Sequence, residues 1–219
     1  MSNSKILLRV IKTIGWVLAS VISISAYAGF LGFGGESWKE EVLLHDGQKL
    51  IVVRSQTRGG NHEIGQEIPI AEHEISFTLP DVHEAIIWKD TPTSGNNDYS
   101  LVLLAIDVFD GVPYIVTTTT TCTSYNKWDR PNPPYVLFKY VQKVWQRVPL
   151  AELPAEIKEA NVVINIEVYA HRLDSHSGIV SADEVKKINE ENERSDVRYL
   201  RLFVREPIKN VVTACSKFE

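Results

Sequence analysis

His171, Asp174 and His176 stand close together in HRLDSHSG, and imidazole and carboxylate are ligand types that zinc and other divalent ions accept. A turn can gather such groups, but no fourth ligand is apparent nearby, so a polar connecting loop is the preferred reading. His62-Glu63, His73-Glu74 and His83-Glu84 offer the same chemistry in pairs. None has the HExxH spacing that turns two imidazoles of a helix toward one ion, and adjacent residues on a strand point to opposite faces. DVFDG, residues 107–111, has two acids and a glycine without the repeated oxygen ligands of a calcium loop. The sequence therefore predicts no metal and no cofactor, with His171, Asp174 and His176 as the weaker alternative.

Nucleophiles are no better supported. There is no GxSxG elbow, and Ser175 or Ser177 beside His176 has adjacency without an orienting acid. Neither GxxxxGK nor GxGxxG occurs. No catalytic residue is assigned, and the balance is against an enzyme. Aromatic side chains crowd between Tyr125 and Trp145, and rigid rings beside proline and polar groups suit protein or glycan recognition. Phe138 and Trp145 read more simply as core. Trp128, Arg130, Asn132 and Tyr135 remain as the candidate binding surface.

These residues need elements to hold them. Two β-rich segments flank Asp46-Gly47 between residues 38 and 58, and two more flank Asp110-Gly111, which are hairpin signals. GGNHEIGQEIPIAEHE between them reads as a surface loop. EISFTLP and EAIIWKD read as neighbouring strands, and further strands are expected near Tyr135, at VWQRV, over VVINIEVYAHR and over YLRLFVREP. Thr117 to Thr121 continue a strand by ordinary β propensity. Ser181, with Glu184 three residues on, caps a helix bearing Val185 and Ile188. The expected fold is mainly β: an antiparallel domain, either a sandwich or a strongly curled sheet, with one late surface helix.

Ahead of that domain, Lys5, Arg9 and Lys12 are followed by no charged residue until Glu36. Such a run is long enough to cross a bilayer, and the expected division is a basic cytoplasmic flank at 1–12, a transmembrane helix at 13–35 and a single periplasmic domain at 36–219. The alternative is cleavage at Ala26-Tyr27-Ala28, leaving a soluble periplasmic chain that starts after Ala28. The formal charge of −5 becomes −8 once the three leading basic residues are set aside, which argues against nucleic acid as a partner. Cys122 and Cys215 have neither CxxC nor thiolate-cluster spacing, and an oxidising compartment permits a disulfide between them.

SYNKWDRPNPPYVLFKY with VWQRVPLAELPAEI, and LHDGQKLIVVR with NHEIGQ, resemble a group of uncharacterised bacterial exported proteins with an N-terminal hydrophobic segment. The resemblance implies an envelope location and one domain plan, and it carries no chemistry onto any residue. The expectation drawn is a single-pass inner-membrane protein whose domain binds or scaffolds another envelope protein. A periplasmic metal-dependent hydrolase at His171/Asp174/His176 and a glycan-binding module are the alternatives. Oligomeric state is left open.

Overall fold

The computed structural model describes residues 35–58, 70–80, 84–90, 101–119, 122–164, 173, 178–191 and 195–209, all within the unit Gly35–Glu219. The chain opens as a hairpin of β1 (Gly35–Leu43) and β2 (Lys49–Arg58), turning where Gly47 holds φ +85°. Even-numbered residues of both strands are buried, apart from Arg58 at the end of β2, and the odd ones are more exposed, as a half-covered pleat requires. β3 (Ile70–Phe77) and β4 (Ile86–Asp90) continue the sheet outward from β2.

A second antiparallel sheet contains β5 (Leu101–Phe109), β6 (Val112–Thr119), β7 (Tyr135–Val141) and β8 (Val144–Val148), in that order. β5 and β6 turn at Asp110-Gly111, where φ is +49° and +75°. β7 and β8 turn at Gln142-Lys143, both with positive φ, the two-residue geometry that matches the twist of a hairpin. Between β6 and β7 lies a short helix, α1 (Cys122–Lys127). After β8 comes a 3-10 turn (Leu150–Glu152), and later in the chain the two-residue strand β9 (Ile179–Val180) pairs parallel to β1. The helix α2 (Ala182–Glu191) follows, with Ser181 Oγ accepting the Glu184 N–H.

The two sheets pack through Val42, Val52, Ile75 and Phe77 on one side and Leu101, Leu103, Ile106 and Ile115 on the other. Each fully buried aliphatic side chain contributes about 1.5–3 kcal/mol from leaving water. The outer face of the second sheet is covered by a separate cluster around Leu104, Val116 and Leu137, against which Leu153, Ile157, Tyr199 and Phe203 pack. Trp38, Val163, Val180, Val185 and Ile188 form a third cluster beneath α2.

Both open sides of the sandwich are closed by side chains. On one side Trp145 Nε1 of β8 donates to the Ile87 carbonyl of β4 at 2.7 Å, occupying an edge that another strand would otherwise reach. On the other, the Asn161 carboxamide accepts from the Ile106 N–H at 3.0 Å and donates to the Ile106 and Leu43 carbonyls at 2.8 and 3.0 Å. One side chain thus acts as a strand residue for β5 while reaching β1. Asn132 does the same with Ile208, and Asn189 with Val162 and Ile164.

Several expectations are corrected. No helix among the described residues is long and apolar enough to cross a membrane. Residue 35 of the expected span is instead the first residue of β1, because its pairing opposite Thr57 claims it for the sheet, and residues 13–34 lie outside the described residues. The single-pass inner-membrane location, the bilayer contact over 13–35 and the membrane-anchored scaffolding role were expectations drawn from such a helix, and no helix among the described residues supports them. YLRLFVREP is not a strand: residues 195–200 form 3-10 turns and Leu202 makes only an isolated bridge to Glu159, because this stretch lies as a cover over sheet carbons instead of pairing along an edge. Of VVINIEVYAHR, residues 162–164 are outside the strands, their backbone taken up by side chains, and the remainder lies outside the described residues. Among the described residues no complete disulfide is present, since Cys215 lies outside them, although Cys122 at the start of α1 has no free thiol.

Candidate functional site

Asp107 interrupts the apolar run of β5 and is buried. Its two oxygens are used on its neighbours: Oδ1 lies 2.7 Å from His45 Nδ1 and accepts the Val108 N–H at 2.7 Å, while Oδ2 accepts the His45 N–H at 3.1 Å. His45 sits in the β1–β2 turn, its ring tilted against Phe109 with centroids 5.2 Å apart. The hydrogen bond to Asp107 raises the His45 pKa above the ordinary imidazole value against the opposing effect of burial, and the charges of Asp107, Asp46 and Glu156 add to the rise. With Nδ1 committed to the carboxylate, Nε2 is the ring nitrogen left for another molecule.

His45 and Asp107 line a cavity of about 390 Å³. Its far walls come from the 156–161 stretch, from α2 and from Arg201. Glu156, Glu159 and Asp183 are matched there by Lys158, Lys186 and Arg201, so the wall carries both signs in equal number. Among the described residues, no serine, threonine or cysteine lines it. The arrangement supplies fixed donors and acceptors around a small volume.

A second polar concentration lies inside the sandwich. Four side chains stand in one cross-strand row, Glu36 opposite Gln56, Gln56 opposite His73 and His73 opposite Asp90, all buried. One row further in, Arg54 bonds Glu40 at 2.8 Å with both side chains fully buried. Glu40 also accepts from Trp38 Nε1 at 2.5 Å and from the Val163 N–H at 3.0 Å, and Arg54 donates to the Val163 carbonyl at 2.8 Å. The Arg54 guanidinium lies over the Trp38 ring, 5.1 Å from its centroid. Gln56 Nε2 donates to Glu36, and Arg58 approaches the same carboxylate at 3.4 Å. His73 Nε2 is 3.5 Å from Arg54, and burial, then that guanidinium, hold the His73 pKa well below the ordinary imidazole value. Burial also lowers the pKa of Arg54 itself.

The residues singled out from sequence are scattered by comparison. Trp128 is half-buried, edge-on to Phe138, and Arg147 lies over its ring. Tyr135 is a core residue whose hydroxyl donates to the Tyr199 carbonyl at 2.7 Å, and burial raises its pKa to about 12. Asn132, following the positive-φ pair Asp129-Arg130, is committed to Ile208, and exposed Arg130 donates to Asn126. Asn132 and Tyr135 share a groove of about 400 Å³ walled by Pro131, Pro133 and Pro149, whereas Trp128 and Arg130 do not line it. His171, Asp174 and His176 lie outside the described residues, and among the described residues no group of three or more His, Cys, Asp or Glu side chains could hold a metal.

Sequence reasoning missed His45, which was absorbed into a turn, and Asp107, read as part of a hairpin approach. The signal was a carboxylate within LVLLAIDVF, where an apolar strand has no use for a charge unless a partner waits for it. Comparison with protein-family models, with curated proteins and with solved structures finds no match.

Proposed function

We propose that this domain is a binding module for a small, neutral, hydroxyl-rich ligand of the glycan class, held in the His45–Asp107 cavity. The observation that carries the reading is the balanced wall: three acidic and three basic side chains surround a cavity whose remaining ionisable pair, His45 and Asp107, is joined internally. A wall of one sign favours an ion of the other, whereas a balanced one presents many fixed donors and acceptors and little net field. Sugar hydroxyls both donate and accept, and the size suits one or two rings. Among the described residues the wall offers no side-chain hydroxyl or thiol, which favours binding over acyl transfer through a serine, threonine or cysteine.

Saturation-transfer NMR with neutral mono- and disaccharides, alongside citrate and spermidine as charged controls, tests the reading. A neutral sugar should receive saturation, and His45→Ala and Asp183→Lys should weaken its binding by about tenfold or more, the size of one lost good hydrogen bond to a charged group. Binding of citrate or spermidine in preference to every sugar, or a sugar signal unchanged in both variants, would sink the assignment.

A further inference from the structure

His73 and Arg54 share a buried compartment. His73 is 3% exposed and Arg54 0%, and Nη1 of the Arg54 guanidinium donates to both Glu40 and the Val163 carbonyl. An imidazolium formed there would add a second buried cation 3.5 Å from the first, and like charges in low dielectric repel strongly. Of the charged groups on the elements packed about His73, Glu40 is saturated by Arg54, Trp38 and Val163, Glu36 faces Gln56 and Arg58, and one Asp90 oxygen accepts the Leu101 N–H. These three carboxylates already have partners.

The Glu40–Arg54 pair grips both hydrogen-bonding groups of the Val163 peptide unit pair, N–H and C=O. Two residues earlier, Asn161 stitches β5 to β1 and lines the His45 cavity. The seam that closes one side of the sandwich is therefore held by a cluster in which a proton at His73 is disfavoured.

We propose that this cluster is an acid-operated latch: proton uptake by His73 releases Val163 and opens the 161–163 seam between the sheets. The device does not depend on what the cavity binds. In the closed state His73 is neutral, and in the open state it meets water and titrates near 6.5. Opening is therefore pH-independent above that value and grows about tenfold for each unit of pH below it, until the closed state itself takes up the proton.

Amide hydrogen exchange of the intact chain, read at Val163 and converted to protection factors at pH 7.5, 6.0 and 5.0, measures the opening. Protection should be flat above pH 6.5 and fall about tenfold per unit below it. His73→Gln, which keeps a polar side chain and cannot take the charge, should abolish the slope. Protection independent of pH in the wild type, or an equal slope in His73→Gln, overturns the latch. The imidazole NMR titration of wild-type His73 gives a second reading that needs no variant. A midpoint well below 6.5 supports the latch, whereas a midpoint at or above 6.5, as pairing with Asp90 would give, overturns it.

Discussion

The inner face of the first sheet has two ends built on opposite principles. Toward β1's end at Leu43, Val42 faces Leu50, and Val52 lies in register with Phe77, so an apolar side chain of similar volume is tolerated best there. Toward the other end, the row Glu36, Gln56, His73 and Asp90 and the pair Glu40–Arg54 are equally buried and depend on one another. A buried apolar group loses only what it itself contributed, while a buried charge that loses its partner retains the cost of being out of water. Ile75 and Arg54 are cross-strand neighbours, which places the two regimes one strand apart.

Arg54→Ala should give the largest effect of any change here, about 3–5 kcal/mol of stability in urea denaturation, because Glu40 is left charged and buried. Replacing both partners, Glu40→Met with Arg54→Met, should lose far less than Arg54→Ala alone. If the double variant is the worse of the two, the polar end is not the interdependent unit described. Ile75→Val, directly opposite Arg54, should cost only about 0.5–1.5 kcal/mol by the same measurement.

Of the two ends, acid should act on the polar one. His73 is lowered in the folded state by burial and by Arg54, so the unfolded chain binds the proton first as pH falls through 6.5. Its contribution is fully present above 6.5 and is lost by about 1.4 kcal/mol per pH unit below it, down to the folded-state pKa. His45 acts in the other sense: its raised folded-state value makes its contribution full below 6.5 and lost as pH rises through the folded pKa. Urea midpoints across pH 5 to 8 in His73→Gln and His45→Gln separate the two slopes.

Trp145→Phe removes the donor to the Ile87 carbonyl and should cost about 0.5–1.5 kcal/mol, with increased self-association as β4's edge is uncovered. Lys143→Ala, which breaks the wholly exposed pair with Glu84, should leave the denaturation midpoint unchanged within error. A loss there comparable to that of Trp145→Phe would mean that the sheet edges depend on charge more than on the indole.

The hairpins at Asp46-Gly47 and Asp110-Gly111, the alternation of β3 and β4 and the capped helix α2 were legible because local chemistry and tertiary fold agree at those places. The turn at Gln142-Lys143 was not, since neither residue is the usual choice for positive φ. VVINIEVYAHR misled because β-branched composition was read without knowing that Asn189, Glu40 and Arg54 would claim the backbone at 162–164. The cavity was illegible for a related reason. Its walls come from a turn, an edge strand of the second sheet, a connecting stretch, α2 and the 195–209 cover, and no window of sequence contains more than a fraction of them.

The Asn161 carboxamide places its nitrogen between the carbonyls of Leu43 and Ile106. Deamidation would exchange that one nitrogen for oxygen, and two attractive contacts would become two repulsive ones with almost no change of shape. The join between the sheets is thus guarded by an atom that spontaneous hydrolysis can replace, which makes the chemical age of that single residue a limit on the working life of the whole sandwich.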